Sequence, residues 1–245
     1  NRNMHRIDAI AADAAAAAAL TTADTLERTL GGLEPNSQME HLTWLATDVI
    51  DQRQAENWNW ETERLPSPDD LAVLQYTSGS TSQPKRVMLT HGNLMHNLKA
   101  IQYGFQIDGN DSGAFWLPSY HDMGLIGGIL EPIYIGLPST LMSPVSFLQR
   151  PHRWLEAISK YKVTTSGAPN FAYDLCVDKI TPEQLETLDL SAWKLAFCGA
   201  EPIRPETLER FARTFEPVGF RVTSFYPCFG MAESSLIVSG GDGPS

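Results

Sequence analysis

The sequence predicts an α/β fold, a mostly parallel sheet flanked by helices, and two observations carry that reading. From Asp70 onward, apolar runs of strand length alternate with segments of helix length, and that spacing gives βαβ crossovers. Polar, glycine-bearing clusters then fall just behind the strands, where open α/β sheets hold their ligands. The predicted strands are residues 71–76, 114–117, 139–142, 163–166, 194–198 and 222–226. The predicted helices are residues 93–105, 123–136, 152–161, 170–179 and 205–215. The last of these opens on Pro205, whose missing N–H is harmless in a first turn. Upstream, the alanine run from Ala11 to Leu20 predicts a surface helix by propensity. It ends at Thr21–Thr22, and from there to about Asp70 the pattern is irregular, with "GGLEPNS" and "LPSPDD" as loop signals.

At 245 residues the chain can bury a sizeable core, as one large domain or two small ones. A net charge of −11 argues against a nucleic-acid partner or an anionic membrane surface. Three cysteines without a CxxC pair read as reduced thiols of a cytoplasmic protein. The first residues, "NRNMHRIDAI", lack the apolar segment of a signal peptide. The apolar run over 124–142 contains Glu131 and two prolines, so it predicts a buried helix followed by a strand and no stable membrane insertion.

The stretch "YTSGSTSQPKRV" (residues 76–87) follows the first predicted strand. Thr77, Ser78, Ser80 and Thr81 offer hydroxyls, Gly79 allows close backbone approach, and Lys85 supplies a point charge suited to phosphate. The Walker A pattern does not apply, because Pro84 stands at its second glycine and Arg86 at its metal-binding Ser/Thr. Chemistry alone leaves a phosphate loop and a hydroxyl-rich surface turn both open.

The longer string "YTSGSTSQPKRVMLTH" resembles the phosphate-binding signature of the adenylate-forming superfamily. That superfamily includes acyl-CoA synthetases, luciferases and peptide-synthetase adenylation domains. Its consensus ends Gly-x-Pro-Lys-Gly, and here Ser82 and Arg86 replace the two glycines. "WLPSYHDMGLIGGIL" (116–130) resembles the superfamily's acyl-pocket wall. The resemblance implies that His121, Asp122, Met123 and Gly124 line the carboxylate end of the acyl site. On its own, His121 reads equally as a packed or capping histidine. Gly124, Gly127 and Gly128 either leave room for a threading chain or allow close helix packing. "FCGAEPI" (197–203) is similar to the adenine wall, implying Gly199, Ala200, Glu201 and Pro202; a plain strand-to-helix turn is the alternative. "FYPCFGMAES" (225–234) resembles the aromatic-Gly-x-x-Glu motif, implying adenine contact by Phe229, Gly230, Met231 and Ala232. Glu233 takes the carboxylate position associated with Mg²⁺, for which a hard oxygen ligand is appropriate.

The strings over 142–180, 44–50 and 210–220 are similar to the fatty acyl-AMP ligases, which stand beside or are fused to polyketide and peptide synthases. In that setting Gly167, Ala168 and Pro169 border the nucleotide or acyl pocket. The resemblance implies ATP and Mg²⁺ as cofactors, a fatty acid as substrate, and an acyl carrier protein as acceptor, with Lys85, His121 and Glu233 as the catalytic set. It further implies that residues 1–245 are the central part of the large N-terminal AMP-binding domain. A ribose-binding aspartate and a mobile C-terminal lid domain would then lie outside these residues, leaving this piece inactive by itself. Two alternatives stand beside it: a fatty acyl-CoA synthetase, and a non-catalytic nucleotide- or lipid-binding module, for which Ser82 and Arg86 are the support.

Overall fold

The computed structural model describes residues 2–33, 37–57, 65–77 and 85–241. They fall into two compact units, Asn1–Met88 and Leu89–Ser245. The first unit opens with α1 (Arg2–Asp13), β1 (Ala18–Thr21), α2 (Ala23–Leu30) and β2 (Thr43–Ala46). It continues with β3 (Leu71–Thr77) and β4 (Lys85–Thr90), which pair as a two-stranded sheet.

Two expectations are corrected here. The alanine run is not one helix: α1 stops at Asp13, Ala15 takes a left-handed φ of 48°, and Ala18–Thr21 pairs in parallel with Thr43–Ala46. A ladder to a distant strand outweighs the few tenths of a kcal/mol per residue by which alanine favours helix. The segment read as irregular then begins with a helix, α2, capped by the Thr22 side chain accepting from the Thr25 N–H. The second correction concerns β3, which belongs to its own sheet with β4 and not to the parallel sheet. A strand therefore directly precedes the helix at His91, because "KRVMLT" is itself extended.

The second unit contains α3 (His91–Phe105), whose start is fixed by a reciprocal cap between Thr90 and Asn93. There follow β5 (Gly113–Phe115), a π-helix over Met123–Leu130 that runs into α4 (Glu131–Ile135), and β6 (Ser139–Leu141). Next come α5 (Pro144–Gln149), α6 (His152–Lys160), β7 (Thr165–Ala168), α7 (Asn170–Lys179) and α8 (Pro182–Leu185). The unit closes with β8 (Leu195–Cys198), α9 (Pro205–Phe215), β9 (Phe225–Gly230) and β10 (Ile237–Gly240). One six-stranded sheet results, ordered β10-β9-β8-β7-β5-β6. Its strands run in parallel except β10, which turns back along β9.

Side-chain alternation divides the core between the two faces of this sheet. Ala114 and Trp116 point into an aromatic cluster with Phe147, Trp154, Tyr173, Trp193 and Phe211. Trp116 stacks on Phe147 at 3.9 Å, and the fully buried Trp154 donates its indole N–H to Ser166 Oγ at 2.9 Å. Truncating a side chain so enclosed costs about 3–5 kcal/mol. On the other face Phe115, Phe197 and Tyr226 pack with Phe105 of α3.

The apolar run 124–142 forms the π-helix, α4 and β6, the helix-then-strand order expected, and no helix among the described residues is long and apolar enough to cross a membrane. Two strand boundaries move. Thr165–Ala168 replaces 163–166, so Gly167 and Ala168 lie inside the strand; β9 begins at Phe225 after a short 3₁₀ turn at Val222–Ser224, so Phe229 is also within a strand.

Candidate functional site

In the second unit, β7, β8 and β9 end on one edge of the sheet, with Ala168, Cys198 and Pro227 in register across them. Gly167–Ala168–Pro169, Gly199–Pro202 and Phe229–Ala232 therefore emerge side by side. Gly199 is pressed against β9: a Cβ there would lie 2.8 Å from the Cys228 carbonyl oxygen. That close approach brings the turn after β8 beside the strand bearing Phe229, whose ring is 59% exposed.

The turn is held from behind. Ala200 adopts a left-handed φ of 69°, and the Glu201 carboxylate accepts the Phe171 N–H at 2.6 Å. Pro169 caps α7 without a side-chain hydrogen bond, so Glu201 supplies the missing acceptor from another segment and places a negative charge at the helix's positive end. Asn170 Oδ1 accepts the Arg204 N–H at 2.9 Å and closes the same turn.

The segment after β5 shares the carboxyl edge. Asp122 begins the π-helix, accepting the Met123 N–H at 2.6 Å, and its Oδ1 faces His121 Nδ1 at 2.7 Å. This carboxylate raises the His121 pKa above its ordinary value, so the charged imidazolium is favoured in a half-exposed position. Gly124 serves packing: a Cβ would sit 2.1 Å from the Pro118 carbonyl oxygen. The π-helix is the wide, costly winding that recurs at functional sites.

The hairpin from β9 to β10 presents Glu233, which is exposed and, among the described residues, makes no hydrogen bond or ion pair. No cluster of three metal-ligating side chains occurs among the described residues. A lone carboxylate fits Mg²⁺, which takes one or two carboxylates plus substrate phosphates and needs no all-protein cage.

In the first unit, Thr77 ends β3 and Lys85 begins β4. Ser78, Gly79, Ser80 and Thr81, with Ser82, lie outside the described residues. Arg86 has a partner: its guanidinium donates to the Asp13 carbonyl at 3.1 Å and pairs with the Asp13 carboxylate at 3.3 Å, which also accepts the Tyr76 hydroxyl at 2.6 Å. The cation thus closes the carboxyl end of α1, where positive charge is favoured.

Two residues escaped the sequence reading. Asn97 is buried on α3 and bonded to the β9–β10 hairpin. Glu131 is buried at the head of α4 with neither carboxylate oxygen partnered among the described residues, lining a small cavity with Phe105, Phe115 and Phe197. Burial pushes its pKa up to about 8. A signal existed for each: a polar residue on an otherwise apolar helical stripe, and a carboxylate inside an apolar run.

Known proteins resemble this chain along most of its length. The AMP-binding enzyme family matches residues 3–244. A medium-chain-fatty-acid–[acyl-carrier-protein] ligase, JamA of Moorena producens, is 43% identical over 97% of this chain and 40% of its own length. The corresponding TtuA ligase of Teredinibacter turnerae is 48% identical over 78% of the chain and 30% of its own length. A crystal structure of the fatty acyl-adenylate ligase from L. pneumophila, in complex with acyl adenylate and pyrophosphate, superposes with a TM-score of 0.88 at 44% identity, covering 98% of this chain and 41% of that one. The chain spans about two fifths of the length of such relatives. With its β5, β8 and β9 segments arrayed on one sheet edge and a family match running through them, the chain belongs to the AMP-binding enzymes.

Proposed function

We propose that this chain is the central part of the large N-terminal domain of a fatty acyl-AMP ligase. The ligase activates a fatty acid with ATP and passes the acyl group to an acyl carrier protein. The observation that carries the reading is the adjacency of the Gly199–Pro202 turn and the exposed Phe229 face on neighbouring strands, with Glu233 in the following turn. An aromatic face beside a backbone wall suits a purine, which stacks and is edged by main-chain groups. The relatives named as carrier-protein ligases, and the related structure holding acyl adenylate and pyrophosphate, support the same substrates here.

In the reaction, a carboxylate oxygen of the fatty acid attacks the α-phosphorus of ATP in line. The bond from that phosphorus to the bridging oxygen breaks, pyrophosphate leaves, and acyl-AMP remains. The carrier's thiol then attacks the acyl carbon and AMP departs. Catalysis of this kind rests on alignment and on stabilising charge at phosphate oxygens. Thr77, Ser78, Gly79, Ser80, Thr81 and Lys85 hold the β- and γ-phosphates by hydrogen bonds and a positive charge. Glu233 would hold Mg²⁺, which would supply positive charge to the phosphate oxygens. His121, whose pKa Asp122 raises, favours the incoming carboxylate by charge and hydrogen bonding. Gly167, Ala168 and Pro169 border the same pocket. A net charge of −11 and three free cysteines are in keeping with a cytoplasmic protein without a nucleic-acid partner.

The test supplies the full-length protein with ATP, Mg²⁺, a fatty acid and either carrier protein or coenzyme A, and identifies the acylated product. Acyl-AMP followed by a carrier thioester is expected. A thioester on coenzyme A overturns the ligase reading in favour of a synthetase, and absence of acyl-AMP overturns adenylation in favour of a binding module.

A further inference from the structure

Asn97 stands on the buried stripe of α3 whose other members are Leu94, Leu98, Ile101 and Phe105, and it is 6% exposed. Its amide is committed to one stretch of distant backbone. Nδ2 donates to the Ser234 carbonyl at 3.1 Å and the Ile237 carbonyl at 2.9 Å, and Oδ1 accepts the Ile237 N–H at 3.0 Å. All three bonds are made to the residues just beyond Glu233.

Between the clamped points lies a strained turn. Ser235 has φ 70° and ψ −66°, and the Leu236 N–H donates back to the Ser234 carbonyl at 3.0 Å. This is the γ-turn of the unfavourable hand, at a residue with a side chain, buried to 5% exposure. Strain of this kind persists only where the surroundings over-determine it. The Ser234 N–H to the Met231 carbonyl and the Ser235 N–H to the Ala232 carbonyl, each at 3.0 Å, tie the turn across Glu233. A shift of the turn therefore moves the Glu233 carboxylate.

We propose that Asn97 is a positioning residue for Glu233: it holds the strained turn at Ser235 and so fixes where the carboxylate points. This rests on the reading of Glu233 as the Mg²⁺ ligand. A residue serving only hairpin packing would lower stability when replaced and leave metal dependence unchanged.

The experiment uses the full-length protein and compares Asn97→Ala, Glu233→Gln and the double variant Asn97→Ala/Ser235→Gly. Binding of Mn²⁺ in the presence of ATP is measured by electron paramagnetic resonance. The Mg²⁺ concentration for half-maximal acyl-AMP formation is measured alongside. Outer contacts of metal ligands are typically worth about 10–100-fold in affinity, so Asn97→Ala is expected to weaken both by about tenfold or more while the fatty-acid KM stays constant. Glycine takes the Ser235 conformation without strain, so the double variant recovers a large part of the loss. Should Asn97→Ala fail to fold, Asn97→Asp is read in its place, since it keeps the acceptor for Ile237 and loses both donated bonds. Ordinary metal affinity in the Asn97 variant, with affinity lost in Glu233→Gln, overturns the positioning role alone. Unchanged affinity in Glu233→Gln overturns the metal reading of Glu233 and the positioning role with it.

Discussion

Glu131 predicts a stability profile that declines across the neutral range. The carboxyl group is 2% exposed and, among the described residues, neither oxygen has a partner and the cavity it lines contains no other ionisable side chain. Burial raises its pKa from 4.5 to about 8. The sign follows from proton counting. Between those two values the folded state keeps a proton that the unfolded state has released, so stability falls as pH rises from about 4.5 and levels off above about 8. At 1.36 kcal/mol per pH unit the accumulated cost has a ceiling of about 5 kcal/mol, and water entry and local relaxation reduce it to roughly 2–3 kcal/mol. Glu131→Gln keeps the shape and removes the ionisation. Urea denaturation of both proteins at pH 5, 7 and 9 should give near-equal midpoints at pH 5 and a variant more stable by roughly 2–3 kcal/mol at pH 9. Parallel curves across that range would refute the claim that Glu131 folds as a neutral acid.

Four further outcomes follow from the site. Phe229→Ala should raise the ATP KM about tenfold, given about 1–3 kcal/mol per stacked base, while Phe229→Tyr retains wild-type affinity in the same titration. Glu201→Ala leaves the start of α7 without its acceptor and should cost about 1 kcal/mol, a Tm fall of about 2–4 °C by calorimetry, which Glu201→Gln largely avoids. Asp122→Asn removes the carboxylate that raises the His121 pKa. The His121 Cε1–H titration by NMR should move to lower pH, and the stabilisation present below the ordinary histidine pKa, lost as pH climbs past the raised value, should vanish; an unmoved titration contradicts the pairing. Arg86→Gly breaks a half-exposed contact to Asp13 and should lower stability by under about 1 kcal/mol. A change in ATP affinity with stability untouched would show that Arg86 acts on the loop and not on α1.

What could be read in the sequence was what neighbouring residues decide among themselves. The predicted strands and helices after His91 occur in the expected order because apolar runs and caps are local, as with Pro205 opening α9 or Thr90 and Asn93 closing on each other. The alanine run went astray for the complementary reason. Its helix preference is local, while the ladder that extends Ala18–Thr21 comes from Thr43–Ala46, and no property of the run announces that partner. The strand "KRVMLT" has no turn signal between it and the helix at His91, and its pairing with Leu71–Thr77 in a separate sheet is set by a contact outside the string. Motif positions on the sheet edge were legible as strings, but their adjacency depended on the register of Ala168, Cys198 and Pro227.

The same division separates two kinds of residue within the site. Phe229 keeps an exposed ring and Glu233 a carboxylate unpaired among the described residues, so their chemistry can be inferred from residue type. Glu201 and Asn97 direct their polar atoms at backbone 30 and 137–140 residues away, where they hold turns in place. Glu201 sits inside a recognisable motif and reads from sequence as a nucleotide contact; its geometry adds the capping of α7. Asn97 sits outside the functional motifs and reads as an ordinary helix residue; its geometry makes it the clamp of the Glu233 turn. Motif membership therefore marks the candidate site, and the hydrogen-bond partner shows which backbone each residue holds. The Glu201 carboxylate spends one oxygen on the Phe171 amide at 2.6 Å and keeps the other on an exposed turn, while Glu233, with no partner among the described residues, has both to offer.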